Sequence, residues 1–453
     1  MNEVIAIVGG TIIDGNGGKP IENGHILIEG QRIIAIESGE VPLPAHAKKI
    51  SAAGKYVIPG LMDANVHLVM DHYPLTIVRY EGRYDELAVE AAQVALKSGV
   101  TTVFDTWGPR EYLVKARDAI NTGHVAGARM YIAGNIVGLG GPFSSDFVPA
   151  EKTSLFEEFT GRVNSVWQEN VGPELVWMSP DQVRTEIRKY ARSGIDFLKY
   201  AVTTHRAPSE HIMFSPRVQQ VIVDEAHEAG LTVQTHTTTN EGIHLALELG
   251  VDLMQHVDLT HGPQTIPQET IIYMAARGVP GALLAQTDNA LATFRELGKR
   301  TPFFKLYETT IDVNTRALIR SGATLLLSTD AGLFCSDTMN SAWYREGVVQ
   351  DETLLKLGEG HFHWLLAVSQ KGMKPMDALM AATRNIARAY RVDRDLGTLE
   401  VGKIADLLVL DKNPLEHAAN YRSINMVMKE GRIVDRQSLP SRRLITSAVG
   451  LCR

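Results

Sequence analysis

The feature that most constrains the fold is an alternation of short apolar segments with longer amphipathic ones across residues 56–392. Continuous apolar runs are typical of strands buried on both faces, as in a parallel sheet. The predicted strands are Val57–Asp63, Thr101–Asp105, Met130–Asn135, Phe197–Ala201, Thr232–Thr235, Leu253–His256, Gly281–Ala285 and Thr324–Ser328. Strands that each lead into a helical segment predict an α/β fold in which a (β/α)8 TIM barrel closes on itself.

The segments between these strands predict the helices that cover a parallel sheet. The clearest are Glu86–Lys97, Asp181–Arg192, Ser215–Glu228, Glu241–Leu249 and Asp312–Ile319. Glycines stand where several of these helices should end, at Gly99, Gly230, Gly250 and Gly322. The segment from Ile136 to Arg192 is too long for a simple connection, so we expect a lid or substrate loop in it besides its helix.

Both ends of the chain differ from this middle part because they contain short strands separated by turns. Asp14–Gly18 is a strong turn signal, and residues 426–434 have the pattern of a hairpin near the C-terminus. We therefore predict a small β-sandwich domain formed by residues 1–55 and 393–453. The barrel domain, residues 56–392, would be inserted between its two halves.

Composition excludes several classes of partner. The net charge of −7 argues against a surface for nucleic acid or anionic membrane. No apolar run reaches the ~18 residues that a membrane helix needs. Met1–Ile7 has no basic region before its apolar residues, so we expect no signal peptide. The two cysteines, Cys335 and Cys452, suit a reducing compartment, and we expect a cytoplasmic enzyme.

Metal-ligand side chains stand at the ends of five predicted strands. They are Asn65 and His67 at the first strand, Lys199 at the fourth, His236 at the fifth, His256 at the sixth and Asp330 at the eighth. Because the C-terminal ends of barrel strands meet at one rim, we expect these side chains to converge. A lone histidine at a strand end is more often structural. The joint pattern, however, favours a site for Zn²⁺ or a similar divalent ion.

Lys199 is the least ordinary member of this set because it lies inside an apolar strand. A buried, unpaired ammonium is costly. The residue therefore needs a partner, a shifted pKa or a chemical modification.

These residues lie in motifs that resemble those of the amidohydrolase superfamily, over nearly the whole chain. The resembling segments are Gly54–His67, Gly250–His256, Ser328–Gly332, Ala381–Arg388 and Gly397–Asp406. The family usually has His-x-His on its first strand, whereas this chain has Asn65-Val66-His67. In this respect it resembles a small Asn-x-His branch, the phenylurea hydrolases and molinate hydrolase.

The resemblance implies a carbamylated Lys199 that bridges two divalent ions. His236 and His256 would hold one ion, and His67, Asp330 and the Asn65 oxygen the other. An amide oxygen is a poorer zinc ligand than imidazole, so a single ion is the alternative. Zinc is favoured, with cobalt, manganese or iron as alternatives.

The implied reaction is attack of metal-bound hydroxide on an amide-like C–N bond of an N-aryl urea, anilide or carbamate, or on a thiocarbamate. Asp330 would accept the proton of the attacking water and pass it to the leaving nitrogen. The implied partner is a small-molecule substrate, and the family suggests a homo-oligomer.

Three alternatives stay open at this point. The first is a prolidase-like dipeptidase, although Gly140–Phe143 has no histidine where such enzymes place one after a glycine pair. The second is a deaminase of the same superfamily, against which Lys199 counts. The third is a barrel that has lost catalysis and only binds a ligand.

Residues that contact the substrate are less clear from sequence. Candidates that follow the strands are His205, His211, Trp107 and Phe143, with Phe147, Trp167 and Trp177 as further aromatic side chains. Local packing is the simpler explanation for each of them taken alone.

Overall fold

The computed structural model describes residues 3–39, 42–69, 74–147, 156–205, 210–260, 262–299, 302–334 and 352–446. Cys335 and Cys452 lie outside these residues, so the reducing, cytoplasmic location inferred from them stays a prediction. None of the helices in the described ranges is long and apolar enough to cross a membrane.

The described strands are β1 (Val4–Ile12), β2 (Ile21–Glu29), β3 (Arg32–Ser38), β4 (Lys48–Ser51), β5 (Tyr56–Pro59), β6 (Leu61–Val66), β7 (Val100–Asp105), β8 (Arg129–Ile132), β9 (Leu198–Ala201), β10 (Val233–His236), β11 (Leu253–Gln255), β12 (Gly281–Leu283), β13 (Leu325–Leu327), β14 (Leu407–Leu410), β15 (Ile424–Lys429) and β16 (Arg432–Ile433). The helices are α1 (Pro74–Arg79), α2 (Tyr84–Lys97), α3 (Arg110–Asn121), α4 (Glu157–Gln168), α5 (Pro180–Ala191), α6 (Pro216–Glu228), α7 (Asn240–Glu248), α8 (Gln268–Arg277), α9 (Asp288–Gly298), α10 (Pro302–Ser321), α11 (Gly360–Gln370), α12 (Pro375–Ala381) and α13 (Arg384–Ala389).

The central strands form two parallel sheets in sequence order. One contains β6, β7 and β8, and the other contains β9 to β13. Among the described residues the two sheets are joined by isolated parallel bridges, Val66 with Ala331 and Val137 with Tyr200. All eight strands predicted from the apolar runs are therefore present as parallel strands, with helices between them as the pattern predicted.

The first predicted strand, Val57–Asp63, is divided between two sheets at Gly60. Strand β5 precedes this glycine and pairs with β1 and β14, whereas β6 follows it and pairs with β7. A Cβ atom on Gly60 would lie 2.3 Å from the hydroxyl oxygen of Thr101. The change of sheet therefore needs a residue without a side chain.

Both chain ends contribute to one eight-stranded sheet. Its order is β16-β15-β14-β5-β1-β2-β3, and β4 pairs with β1. Strands β5 and β14 run antiparallel, with Val57 opposite Val409. Residues from both ends, including Ile7, Ile26 and Leu407, share an apolar cluster distinct from that of the parallel sheets. Strands from the two ends thus pair in one sheet.

An ion cluster joins this terminal sheet to the parallel sheets. Arg129, the first residue of β8, donates to Asp406 and, at 2.6 Å, to Glu430. Arg129 and Asp406 are both buried. Since a buried charge is costly without a partner, the three residues fix the position of β8 relative to β14 and β15.

The last described segment leaves the terminal sheet and packs on α2. The Glu90 carboxylate accepts hydrogen bonds from the backbone amides of Leu444, Ile445 and Thr446, at 2.9, 3.0 and 2.9 Å. Ile445 is buried in the same apolar cluster as the parallel sheets. The C-terminal part of the chain therefore contacts both the terminal sheet and the central region.

The long connection after β8 contains α4, a short 3₁₀ helix (Pro173–Trp177) and α5. Trp167 of α4 is buried, whereas Trp177 is exposed. Residues 148–155 lie outside the described part of the chain. The lid predicted for this connection therefore stays a prediction.

Candidate metal centre and its aromatic rim

The end of β6 and the turn after β13 are held together by backbone hydrogen bonds. The amide of Asp330 donates to the carbonyl oxygen of Asn65 at 2.9 Å, and the amide of His67 donates to Ala331 at 2.8 Å. These bonds place two candidate ligands of the first strand beside the candidate ligand of the eighth.

Asp63 also connects the end of β6 to the turn after β13. Its carboxylate accepts a hydrogen bond from the hydroxyl of Thr329 at 2.6 Å and another from the Thr329 backbone amide at 3.2 Å. Burial raises the pKa of Asp63 to about 7, because water is excluded from the charged carboxylate. Asp63 therefore acts as a cross-link between β6 and the residue that precedes Asp330.

Asp330 is in contact with both candidate ligands of β6. Its Oδ1 atom lies 3.0 Å from His67 Nε2 and accepts a hydrogen bond from Asn65 Nδ2 at 2.7 Å. Burial alone would raise the pKa of Asp330, but His67 and then His256 hold it well below its usual value. Asp330 is therefore an ionised carboxylate, and 27% of its side chain is exposed.

His236 and His256 form a second pair. His236 ends β10, His256 directly follows β11, and their Nδ1 and Nε2 atoms lie 3.0 Å apart. Both side chains are buried. The histidines predicted from two separate strand ends are thus brought together.

The backbone is strained at two of the candidate ligands. His256 has φ +37° and Asp330 has φ +58°, in the left-handed region that residues with a side chain rarely adopt. Such conformations cost about 1–3 kcal/mol each and are concentrated at functional sites. The strain favours a functional role for both residues over simple packing.

Lys199 is fully buried in β9, and its Nζ atom donates to the hydroxyl of Thr106 at 3.0 Å. Burial lowers the pKa of Lys199 to about 8, although the negative charges of Asp330 and Asp105 act in the opposite direction. The uncharged, nucleophilic form of this amine is therefore more accessible than that of an exposed lysine.

Thr106 is a site residue that sequence reasoning missed. It directly follows β7, and its hydroxyl donates to the Oδ1 atom of Asn65 while accepting from Lys199. The carboxamide of Asn65 thus turns its oxygen to Thr106 and its NH₂ group to Asp330. The only signal was its position after the second strand, because a hydroxyl is not a typical zinc ligand.

A chain of ring contacts, which we call the aromatic arc, connects His67 to His236. It consists of Trp107, Phe147 and His205. Ring centroids lie 5.9 Å apart from His67 to Trp107, 4.2 Å from Trp107 to Phe147 and 4.8 Å from Phe147 to His205. His205 lies 5.1 Å from His236. The arc therefore follows the strand ends from β6 round to β10.

Hydrogen bonds hold the arc in place. Trp107 donates from its indole nitrogen to Asn135 at 3.1 Å, and His205 Nδ1 lies 3.0 Å from the carbonyl oxygen of Asp146. Because a carbonyl oxygen can only accept, His205 carries a proton on Nδ1. Sequence reasoning named both Trp107 and His205, and the structure places both at the rim.

The other residues that the sequence suggested for substrate contact are not part of the aromatic arc. Phe143 is buried and packs on Phe159 of α4, with ring centroids 5.9 Å apart. His211 is exposed, and its backbone carbonyl accepts from the amide of Thr204. Neither residue has a ring contact with the candidate ligands among the described residues. Trp167 packs behind Trp107 at 6.3 Å.

The donor types of the two pairs, imidazole nitrogen and carboxylate oxygen, are those that zinc and similar divalent ions bind. In the described part of the chain, the imidazole and carboxylate groups form two pairs rather than one group of three or more. Within each pair, the donor atoms are 3.0 Å apart. Two ligands of one tetrahedral zinc ion lie about 3.3 Å apart. His67 Nδ1 is buried and has no hydrogen-bond partner among the described residues.

Comparison with known proteins assigns the chain to a family. The model of the amidohydrolase family matches residues 56–434. The chain belongs to the amidohydrolase family. This amidohydrolase is therefore a hydrolase, and members of its family generally bind a divalent metal. The family resemblance predicted from the motifs is confirmed.

Two solved structures are similar to this amidohydrolase over its whole length. A molinate hydrolase is 38% identical with a TM-score of 0.94, and the match covers 100% of this chain and 99% of that one. Phenylurea hydrolase B is 36% identical with a TM-score of 0.91, covering 98% and 100%. An ochratoxinase from Aspergillus niger is 25% identical over 456 residues, 95% of this chain and 86% of the relative. The branch predicted from Asn-x-His is confirmed as well.

Proposed function

We propose that this amidohydrolase cleaves an amide-like C–N bond of a small molecule, in an N-aryl urea, anilide or carbamate, or in a thiocarbamate. The observation that carries the proposal is the pairing of Asp330 with His67 and of His236 with His256 at the ends of parallel strands. The similarity to molinate hydrolase and phenylurea hydrolase B supports this substrate class.

We infer that the two parallel sheets are arcs of one (β/α)8 barrel. The strands follow one another in sequence order, and the two isolated bridges lie where the arcs would meet. We also infer that the terminal sheet, with its own apolar cluster, is the β-sandwich domain of residues 1–55 and 393–453. Its boundary with the barrel would fall at Gly60, four residues later than residue 56.

In this proposal His67, Lys199, His236, His256 and Asp330 hold one or two metal ions. When bound, the metal acts as a Lewis acid that polarises the scissile carbonyl and lowers the pKa of water. Nitrogen and oxygen donors suit zinc first, and also cobalt, manganese or iron. The carboxamide oxygen of Asn65 has a second electron pair besides the one that accepts from Thr106, so Asn65 stays a predicted ligand beside this set.

In this proposal Lys199 is carbamylated. The uncharged amine attacks dissolved CO₂, so that a new N–C bond forms, one amine proton leaves to solvent, and a carbamate with one negative charge results. The pKa of about 8 supplies the uncharged amine that this step needs. The product replaces a costly buried ammonium by an anionic oxygen ligand.

Asp330 is the proton acceptor of the proposed reaction. Its hydrogen bonds with His67 and Asn65 both end on Oδ1, which leaves Oδ2 to take a proton from the attacking water. The same carboxyl group then returns that proton to the leaving nitrogen, since amine departure needs protonation. Its partly exposed side chain is compatible with contact to both groups.

The aromatic arc is the proposed contact surface for the apolar part of the substrate. Trp107 and Phe147 are stacked at 4.2 Å and at an angle of 27°. Planar aryl groups gain energy from such side chains by stacking as well as by burial. This feature favours an aryl or conjugated substrate over a dipeptide.

The test is hydrolysis by the purified, metal-loaded enzyme of N-aryl ureas, anilides, carbamates and thiocarbamates, with Xaa-Pro dipeptides and N-acyl amino acids as rivals. We expect release of the amine from at least one of the first four classes, and loss of turnover when a chelator removes the metal. Turnover of dipeptides alone would favour a prolidase-like enzyme. Absence of both metal and turnover would favour a binding barrel.

We further propose that the enzyme is a homo-oligomer. Phe156 and Trp177, both in the connection after β8, are 88% and 89% exposed. Large exposed aromatic side chains are typical of surfaces that bind another protein. Light scattering coupled to size-exclusion chromatography tests the proposal, and a monomer at micromolar concentration would contradict it.

A further inference from the structure

The hydroxyl group of Thr106 lies between two side chains of the candidate centre. Lys199 Nζ is 3.0 Å away on one side, and Asn65 Oδ1 is hydrogen-bonded on the other. All three side chains are buried, with exposures of 0% for Thr106 and Asn65 and 1% for Lys199. Water therefore does not compete for these hydrogen bonds.

The direction of this hydrogen-bond chain is fixed by chemistry. An ammonium nitrogen has no free electron pair and a carbamate nitrogen has a delocalised one, so in these two states, unlike in the uncharged amine, Lys199 can only donate and Thr106 accepts. The single hydroxyl hydrogen of Thr106 then points to the oxygen of Asn65. The NH₂ group of Asn65 is consequently left to face Asp330 Oδ1 at 2.7 Å.

We propose that Thr106 is a positioning residue that sets the orientation of Asn65, and through it that of Asp330, and that also orients the Lys199 nitrogen. Without the hydroxyl, the carboxamide of Asn65 could rotate by half a turn. Its oxygen would then face the ionised carboxylate of Asp330, and the two oxygens would repel each other.

A carbamate on Lys199 also has to be held in one orientation. It is planar and keeps one N–H, so a hydrogen bond from that N–H to Thr106 fixes the direction in which the new carboxylate points. This part of the inference rests on the proposed function, because it requires a carbamylated Lys199. The orientation of Asn65 does not require it.

The backbone around Thr106 is rigid enough to make such positioning effective. The amide of Thr106 donates to the carbonyl oxygen of Val66 at 3.0 Å. The neighbouring Asp105 carboxylate accepts from the amides of Leu68, at 2.8 Å, and Trp107, at 3.2 Å. A substitution that removes only the hydroxyl should therefore leave the backbone in place.

The test compares Thr106→Val, which removes the hydroxyl at nearly constant volume, with Thr106→Ser, which keeps it. Thr101→Val is the matched control. Thr101 is also buried and belongs to β7, the strand that Thr106 directly follows, and its hydroxyl donates a hydrogen bond to the backbone carbonyl oxygen of Leu61, at 3.4 Å, rather than to a candidate ligand. Apo-proteins are titrated with zinc and with cobalt(II), and the visible spectrum of the cobalt form reports ligand geometry.

We expect Thr106→Val to weaken metal binding or lower kcat by about 10–100-fold with little change in KM, and to alter the cobalt spectrum. Thr106→Ser and Thr101→Val should stay within about threefold of wild type. If Thr106→Val does not fold, Thr106→Ala provides the same comparison.

Wild-type behaviour of the valine variant in metal affinity, cobalt spectrum and kcat would overturn the proposal. Equal impairment of the serine and valine variants would also overturn it, because packing of the methyl group would then be responsible. Metal affinity and the spectrum remain informative even if no C–N substrate is turned over, so failure of the proposed function is recognised separately.

Discussion

Asn65 and Asp330 are hydrogen-bonded twice, once through the backbone and once through their side chains. The Asp330 amide donates to the Asn65 carbonyl oxygen at 2.9 Å, and Asn65 Nδ2 donates to Asp330 Oδ1 at 2.7 Å. The paired bonds help to hold Asp330 in its left-handed conformation, with φ +58°. They also fix the plane of its carboxylate relative to β6.

Asp330→Asn should lower kcat by about 10³-fold, because an amide cannot accept the proton of the attacking water. The fold should be retained, since the side chain keeps its shape. Steady-state kinetics of the metal-loaded variant, with circular dichroism as a folding control, provide the check. Near-normal turnover with bound metal would show that another group is the base.

Lys199 should carry a carboxylate in the metal-loaded enzyme. Protein loaded with metal in ¹³C-bicarbonate should show a carbamate carbon signal that Lys199→Ala lacks. Lys199→Ala should be nearly inactive, and short carboxylic acids should restore part of its activity. An electron-density map with an unmodified amine in active, metal-loaded enzyme would contradict the prediction.

The substitution Lys199→Met tests whether the amine is needed for catalysis or for the stability of the fold. Burial already lowers the pKa of this lysine to about 8, so an apolar side chain of similar length removes a group that is costly to bury. We expect this variant to be inactive but at least as stable to heat as the wild-type apo-protein. A large loss of stability would mean that the Lys199–Thr106 hydrogen bond has a structural role.

Phe147→Ala should raise KM for aryl substrates by about 2–10-fold and leave kcat nearly unchanged, because a stacking contact is worth about 0.5–1.5 kcal/mol. Small N-alkyl substrates should be unaffected. Ile272→Ala is the control, since its side chain is 58% exposed and lies on α8. Equal changes for aryl and alkyl substrates would show that Phe147 does not contact the aryl group.

Arg129→Met should destabilise the protein by about 3–5 kcal/mol at pH 7, because it leaves the buried Asp406 carboxylate without its cation and leaves Glu430 with Lys429 alone. Arg394→Met is the control, because its side chain is 90% exposed. Its effect should stay within about 0.5 kcal/mol. Urea unfolding at several pH values measures both.

The effect of Arg129→Met on stability should depend on pH, because the ion cluster contains the titratable carboxyl group of Glu430. Burial alone would raise the pKa of Glu430, but Lys429 and Arg129 lower it below its usual value of 4.5. The resulting stabilisation is present above pH 4.5 and is lost as the pH falls through the lowered pKa. The difference between Arg129→Met and wild type should therefore shrink in acid. A difference that is constant with pH would exclude this ion cluster as its cause.

The strands of the central region could be predicted from sequence because burial on both faces gives continuous apolar runs. The break at Gly60 could not be predicted. Val57–Asp63 is one apolar run, and its division depends on the distant strand β14, which pairs with residues 56–59. Such a choice between two sheets is a tertiary effect that a local pattern does not contain.

The meeting of the candidate ligands could be predicted because the C-terminal ends of parallel strands lie at one rim, whereas their binding of a metal stays a prediction. The role of Asn65 could not be predicted, because the direction of its carboxamide depends on Thr106, a residue from another strand. The left-handed conformations of His256 and Asp330 could not be predicted from sequence either, since nothing in their own side chains favours them.

The pairing of β5 with β14 has a consequence during protein synthesis. Strand β5 leaves the ribosome early, but its partner is made only after the whole central region. One edge of β5 therefore stays open on the nascent chain, where unpaired strand edges invite association with other chains. Slower synthesis at low temperature, or chaperones that cover open edges, should increase the yield of folded enzyme, whereas a chain ending before residue 407 should aggregate.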